Sequence, residues 1–161
     1  MIALSRKKGG VQIVETIIRG NRFEQMTMSA ILVAGDANSW YESGAVRNML
    51  IADHVFIGCG GAGHPVIRIA PENEAGSGAD PVHRNIRIEG NRFEGTAALL
   101  LSVHGTEGLV FQGNEVDVTG SRTGTLESLG LITVETCRNV DISDNGLFYM
   151  QDLDMVHRPD G

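Results

Sequence analysis

Two carboxylates flanking an aromatic pair are the residues of this chain best equipped for chemistry. Asp36 and Glu42 bracket Trp40 and Tyr41 in the segment Gly35-Asp36-Ala37-Asn38-Ser39-Trp40-Tyr41-Glu42-Ser43-Gly44. That segment holds the only Trp and one of just two Tyr in a chain with 5% aromatic residues. Aromatic faces bind the apolar faces of sugar rings, while carboxylates hold hydroxyls or transfer protons. A third carboxylate, Glu72, sits in a second loop-like segment running from Ala70 to Pro81, just after Arg68. His104 follows a later apolar segment. The set predicts a sugar site in which Asp36, Glu42 and Glu72 are the hydroxyl or proton partners. Trp40 and Tyr41 then form the platform, with Arg68 and His104 as substrate contacts. The competing expectations are structural: Trp40 folds back over the wall of the domain, and the charges form a solvated ladder.

Other chemistries find little support. No Ser-His-Asp order, glycine-rich phosphate loop or zinc spacing appears, and no local calcium motif is present, so neither a metal nor a cofactor is expected. Cys59 and Cys137 lie in different repeats and read as plain buried residues. The net charge of -7 argues against nucleic acid or an anionic membrane surface as partner. There is no run of eighteen apolar residues, and the basic start, Met1 to Gly10, is not followed by an apolar stretch. A membrane span and an intact secretory signal are therefore not expected, and the compartment is left open.

What must position these residues is a repeat. The copies read Ile18-Arg19-Gly20-Asn21-Arg22-Phe23, Ile51-Ala52-Asp53-His54-Val55-Phe56, Ile88-Glu89-Gly90-Asn91-Arg92-Phe93, Phe111-Gln112-Gly113-Asn114-Glu115-Val116 and Ile142-Ser143-Asp144-Asn145-Gly146-Leu147. Their Asn-type positions are 33, 37, 23 and 31 residues apart, so a unit repeats while its loops vary. Repeats of this size stack, each burying its apolar face against its neighbours. Each copy ends a short alternating segment, such as Asn85-Ile86-Arg87-Ile88, which reads as a strand. A second apolar segment lies upstream: Ala30–Val33, Val66–Ile69, Ala98–Leu101 and Gly130–Val134, with Ile2-Ala3-Leu4 as a weaker first copy. In the shortest units the paired segments are about a dozen residues apart, too close for a helical crossover.

The expected fold is all-β: a single-stranded right-handed parallel β-helix of about five coils. It forms one domain over 1–161, with a C-terminal cap at about 148–161. A β-sandwich would show hairpin turns without long-period register, and leucine-rich repeats need a shorter, more uniform unit. Phe23, Phe56, Phe93, Val116 and Leu147 should stack as an interior column. Asn21, His54, Asn91, Asn114 and Asn145 should share one corner, with His54 as an imidazole replacing an amide. The first coil has little sequence to cover it, so it could mediate homo-oligomer formation.

Alternation assigns Ile31, Ile67, Leu99 and Ile132 to the interior, with Leu32, Arg68, Leu100 and Thr133 as an outward column. Lys7, Asp36, Glu72 and His104 would form a second column. Equivalent positions on adjacent coils stand about 4.8 Å apart, whereas an inverting glycosidase separates its carboxyl groups by roughly 6.5–9.5 Å. Asp36 and Glu72 would thus have to splay outward to act as such a pair; Glu42 with Glu72 is geometrically freer.

The segment Ala30–Asp36, the string Trp40-Tyr41-Glu42-Ser43-Gly44-Ala45-Val46, the strand Asn48 to Phe56 and Ile67-Arg68-Ile69-Ala70-Pro71-Glu72-Asn73 together resemble glycoside hydrolase family 110. The likeness continues into the Asn91-to-Phe93 copy. That family comprises exo-acting α-1,3-galactosidases on a right-handed parallel β-helix of the pectate-lyase-like superfamily. The resemblance implies removal of terminal α-linked galactose by inversion, with two carboxylates, no redox cofactor and a galactose-containing glycan as partner. It covers most of this chain but only the C-terminal coils of such an enzyme. Acidic catalytic residues are expected in the upstream coils, which have no counterpart here. The resulting expectation is a glycosidase-related protein, truncated or inactive, that binds sugar. The alternative is a non-catalytic, self-associating β-helix.

Overall fold

A computed structural model describes residues 2–4, 15–35, 45–71, 81–95, 99–119 and 124–150. These residues form fifteen short strands in three parallel sheets of five strands each. The first sheet contains β1 (Ile2–Leu4), β4 (Ile31–Val33), β7 (Ile67–Ile69), β10 (Leu101–His104) and β13 (Ile132–Glu135). The second contains β2 (Thr16–Arg19), β5 (Arg47–Ala52), β8 (His83–Glu89), β11 (Thr106–Gln112) and β14 (Arg138–Ser143). The third contains β3 (Arg22–Glu24), β6 (Val55–Ile57), β9 (Arg92–Glu94), β12 (Glu115–Thr119) and β15 (Gly146–Met150). Every third strand joins the same sheet, so the chain winds through five coils of a parallel β-solenoid. No helix occurs among the described residues.

Period-two alternation explains the interior. Ile31, Ile67, Leu101 and Ile132 are in register, as are Met49, Ile86 and Leu109, and all are buried. Phe23, Phe56, Phe93, Val116 and Leu147 form the expected interior column. Within it, the Phe56 ring stacks between Phe23 at 5.1 Å and Phe93 at 4.9 Å, with interplanar angles of 8° and 13°. Burial thins in the fifth coil, where Val140 is 38% and Phe148 51% exposed. β15 continues to Met150, so the chain is still sheet at the expected start of the cap, and residues 151–161 lie outside the described set.

The Asn corner is a hydrogen-bond ladder between coils. The Asn91 Oδ1 accepts from the His54 amide at 3.0 Å, Asn114 Oδ1 from the Asn91 amide at 2.9 Å, and Asn145 Oδ1 from the Asn114 amide at 3.0 Å. Each Nδ2 donates back to a strand carbonyl: Asn91 to Ile51, Asn114 to Ile88 and Asn145 to Phe111. His54 reproduces both bonds. Its Nδ1 accepts from the Asn21 amide at 3.0 Å, which leaves the proton on Nε2, 3.0 Å from the Ile18 carbonyl. The left-handed backbone at this corner falls on the residue before each amide: Gly20, Asp53, Gly90, Gly113 and Asp144 have φ of 54–67°. The imidazole replaces an amide here, so His54→Asn should fold normally and shift stability by less than about 1 kcal/mol, whereas His54→Ala should cost about 2–3 kcal/mol by orphaning two buried groups. Urea unfolding of both variants checks this; equal losses would contradict the ladder.

One strand assignment needs correction. Val103, not Leu101, pairs with Ile69, and Leu101, not Leu99, pairs with Ile67. The outward column therefore reads Leu32, Arg68, Ser102 and Thr133, with Ser102 in place of Leu100. Leu99 and Leu100 precede the strand, their carbonyls accepting from the Val66 and Ile67 amides. The run Ala97–Leu101 is uniformly apolar, so alternation carries no phase information there, and a two-residue offset left no trace in the pattern.

Candidate functional site

The corner between the first and second sheets is where loops vary. In the fourth coil a single residue, Gly105, separates β10 from β11, and two residues separate β13 from β14. In the second and third coils the same corner carries thirteen residues each, 34–46 and 70–82. Both insertions therefore leave one corner on adjacent coils, as the alternation predicts. Asp36, Trp40, Tyr41 and Glu42 in the first, and Glu72 in the second, lie outside the described residues. Arg68 and His104 are described. Arg68 is exposed on the outer face of β7, between Leu32 and Ser102 of the flanking coils, with no ion pair to a described residue. His104 ends β10, half-buried, with Nε2 3.2 Å from Thr136 Oγ1. Because Val103 is level with Ile69, the ladder sets His104 opposite Ala70 rather than Glu72. His104 is accordingly not level with the position of Glu72 in the expected column, whose members Lys7, Asp36 and Glu72 lie outside the described residues, although His104 still borders the insertion corner.

Residues missed by sequence reasoning line this corner. His83 is the first residue of β8, completely buried, and its Nδ1 accepts from the Val46 amide at 3.3 Å. Among the described residues its Nε2 has no hydrogen-bond partner, and neither does Oγ1 of Thr106, its buried register neighbour. Burial in the apolar interior lowers the His83 pKa from 6.5 to about 4. The signal was available: in these three coils the residue at the start of the second sheet points inward, as the burial of Val46, His83 and Thr106 shows. Outward-facing Arg47, Arg84, Glu107 and Arg138 come next, aligned in one column.

Elsewhere, a cavity of about 560 Å³ lies between the third and first sheets, lined by Cys59, Gly60, Gly61, Ala62, Gly63, His64, Gly95 and Leu99. Cys59 is buried there, its Sγ donating to the Phe23 carbonyl at 3.3 Å, so its thiol serves the corner's packing rather than a reaction. Among the described residues no three His, Cys, Asp or Glu converge as a metal site.

Comparison with known proteins gives the lineage. No family model matches the chain. The α-1,3-galactosidase B of Bacteroides thetaiotaomicron is 39% identical over 140 residues, covering 81% of this chain and 22% of that protein. The α-1,3-galactosidase A of the same organism is 35% identical over 133 residues, again 81% of this chain and 22% of that protein. The α-1,3-galactosidase A of Bacteroides fragilis is 43% identical over 105 residues, 63% of this chain and 17% of that protein. The chain spans about a fifth of the length of these curated relatives. With the parallel solenoid already in place, the conclusion is direct: this chain is homologous to a part of the α-1,3-galactosidases, glycoside hydrolase family 110.

Proposed function

We propose that the chain is a carbohydrate-active β-solenoid whose insertion-bearing corner contacts a galactose-containing glycan. The observation that carries this reading is the placement of both long insertions on adjacent coils of one corner, in a chain homologous to α-1,3-galactosidases. Trp40 and Tyr41 form the platform for the ring, and Asp36, Glu42 and Glu72 take hydroxyls or protons. Arg68 and His104 border the corner from the first sheet and fix the sugar's orientation. Cleavage by inversion requires two carboxyl groups roughly 6.5–9.5 Å apart with water between them. Adjacent strands give only about 4.8 Å, which favours the loop residue Glu42 over Asp36 as the partner of Glu72. Without a second catalytic carboxylate in place, the same corner binds sugar and does not turn it over.

Trp40 is the only tryptophan, so its fluorescence reports the platform directly. Galactose should quench or shift that emission saturably at millimolar concentrations, and Trp40→Phe should abolish the response. Galactose release from an α-1,3-linked digalactoside, followed chromatographically, separates enzyme from binder. Neither turnover nor a fluorescence change would remove this reading.

A second reading rests on the edge strands β1, β2 and β3, which close the three sheets on one side. Ile17 on β2 is 63% exposed, and among the described residues these three strands pair on one side only; such edges invite pairing with another chain. Self-association through this edge predicts a mass that grows with concentration in multi-angle light scattering. A constant monomer mass at high concentration argues against it.

A further inference from the structure

The second sheet carries an outward column of charge at the insertion corner: Arg47, Arg84, Glu107 and Arg138 on successive coils. Three cations against one anion is an inversion of the chain's overall balance of 13 basic and 20 acidic residues. A local backbone device puts them there. Asn48, Asn85, Gly108 and Asn139 follow them in left-handed conformation, with φ of 53–75°. Two successive residues therefore face outward before alternation resumes, as the burial of His83 and Ile86 on either side of Arg84 and Asn85 shows. The Asn85 Nδ2 donates to Asn48 Oδ1 at 3.0 Å, tying the two coils together beside the arginines.

Four other arginines of the second and third sheets are neutralised by neighbours. Arg19 pairs with Asp53, Arg22 with Glu24, Arg87 with Glu89, and Arg92 with Glu94, Glu115 and Asp117. Arg47 has no ion pair with a described residue, and its Nε is buried without a hydrogen-bond acceptor. Arg84, one strand away, has only Glu107, at 3.6 Å, among the described residues. Like charges directly across a strand pair are destabilising, and a buried guanidinium donor without an acceptor costs more than a neutral one. Both costs vanish when an anion sits between the two guanidinium groups, whose forked N–H donors match carboxylate or sulfate oxygens.

We propose that Arg47 and Arg84 form an anion-binding subsite that takes a carboxylate or sulfate substituent of the glycan at the neighbouring insertion corner. The glycan part rests on the carbohydrate reading above; the anion site itself does not. Arginine Nε–Hε resonances of the ¹⁵N-labelled protein are followed while sodium sulfate replaces sodium chloride at constant ionic strength, Arg47→Gln and Arg84→Gln supplying the assignments. The Arg47 and Arg84 signals should move saturably at millimolar sulfate, and Arg84→Gln, an exposed change, should weaken binding about tenfold. Galactose 6-sulfate or galacturonate should bind about tenfold more tightly than either galactose or sulfate alone, since both halves of the site are then used. Saturation by sulfate with no response to any sugar keeps the anion site and removes the glycan. Sulfate shifts no larger than those of chloride, or an anion preference unchanged in Arg84→Gln, overturn the proposal.

Discussion

Replacing Phe56 with alanine should destabilise the protein by about 3–5 kcal/mol, because the ring is fully buried between two stacked neighbours. Removing it strips contacts from Phe23 and Phe93 on either side. The cavity cannot collapse easily, because strand spacing is fixed by the hydrogen-bond ladders of β3, β6 and β9. The thermal midpoint should fall by roughly 10 °C for a chain of this size. Ile57→Ala, one residue along and facing outward, should cost about 1 kcal/mol or less, since its side chain is only half-buried. Calorimetry of both variants is the check: similar losses would mean that the third sheet does not present Phe56 to a packed interior.

Stability should also fall steeply in mild acid, with His83 as the principal cause. Its pKa is about 4 in the folded chain against 6.5 when exposed. The unfolded state therefore binds the proton more readily, and the stabilisation is complete above pH 6.5. It is lost as pH drops from there through 4, amounting to about 3 kcal/mol at the acid end. His54 acts in the same direction: burial lowers its pKa, against the opposing Ile18 carbonyl and the nearby Asp53 charge. Protonating Nδ1 of either ring also destroys its acceptance of a backbone N–H. Urea midpoints measured from pH 7.5 to 4.5 should track this loss, and His83→Gln, which keeps an acceptor but does not titrate, should flatten the curve by about one proton. An unchanged slope in that variant would show that His83 is solvated in solution. His83 begins the strand after the second insertion, so the lost stability is felt next to the proposed sugar corner.

Much of the architecture was legible because a solenoid writes its contacts into sequence at long period. The phrase around Asn21, His54, Asn91, Asn114 and Asn145 stayed visible despite spacings of 23 to 37 residues. Each copy must satisfy the same two backbone groups of its neighbour, so the residue type is constrained whatever the loop length. The interior Phe column was equally readable, since ring upon ring fits a fixed strand spacing. The apolar run before His104 was not: with Leu99, Leu100 and Leu101 all acceptable inside, only hydrogen bonding selects which of them enters the ladder.

The candidate site divides along similar lines. Sequence by itself located the insertions, chose one corner for both, and named the carboxylates and aromatics they carry. It also determined the coil count, because the apolar and amide positions recur whether or not the loops between them match. Tertiary structure alone decided that Arg47 and Arg84 stand side by side, that His83 turns inward, and that Ser102 rather than Leu100 neighbours Arg68. Those facts depend on a left-handed residue breaking alternation and on pairing between distant segments, and a linear pattern of polar and apolar residues records neither.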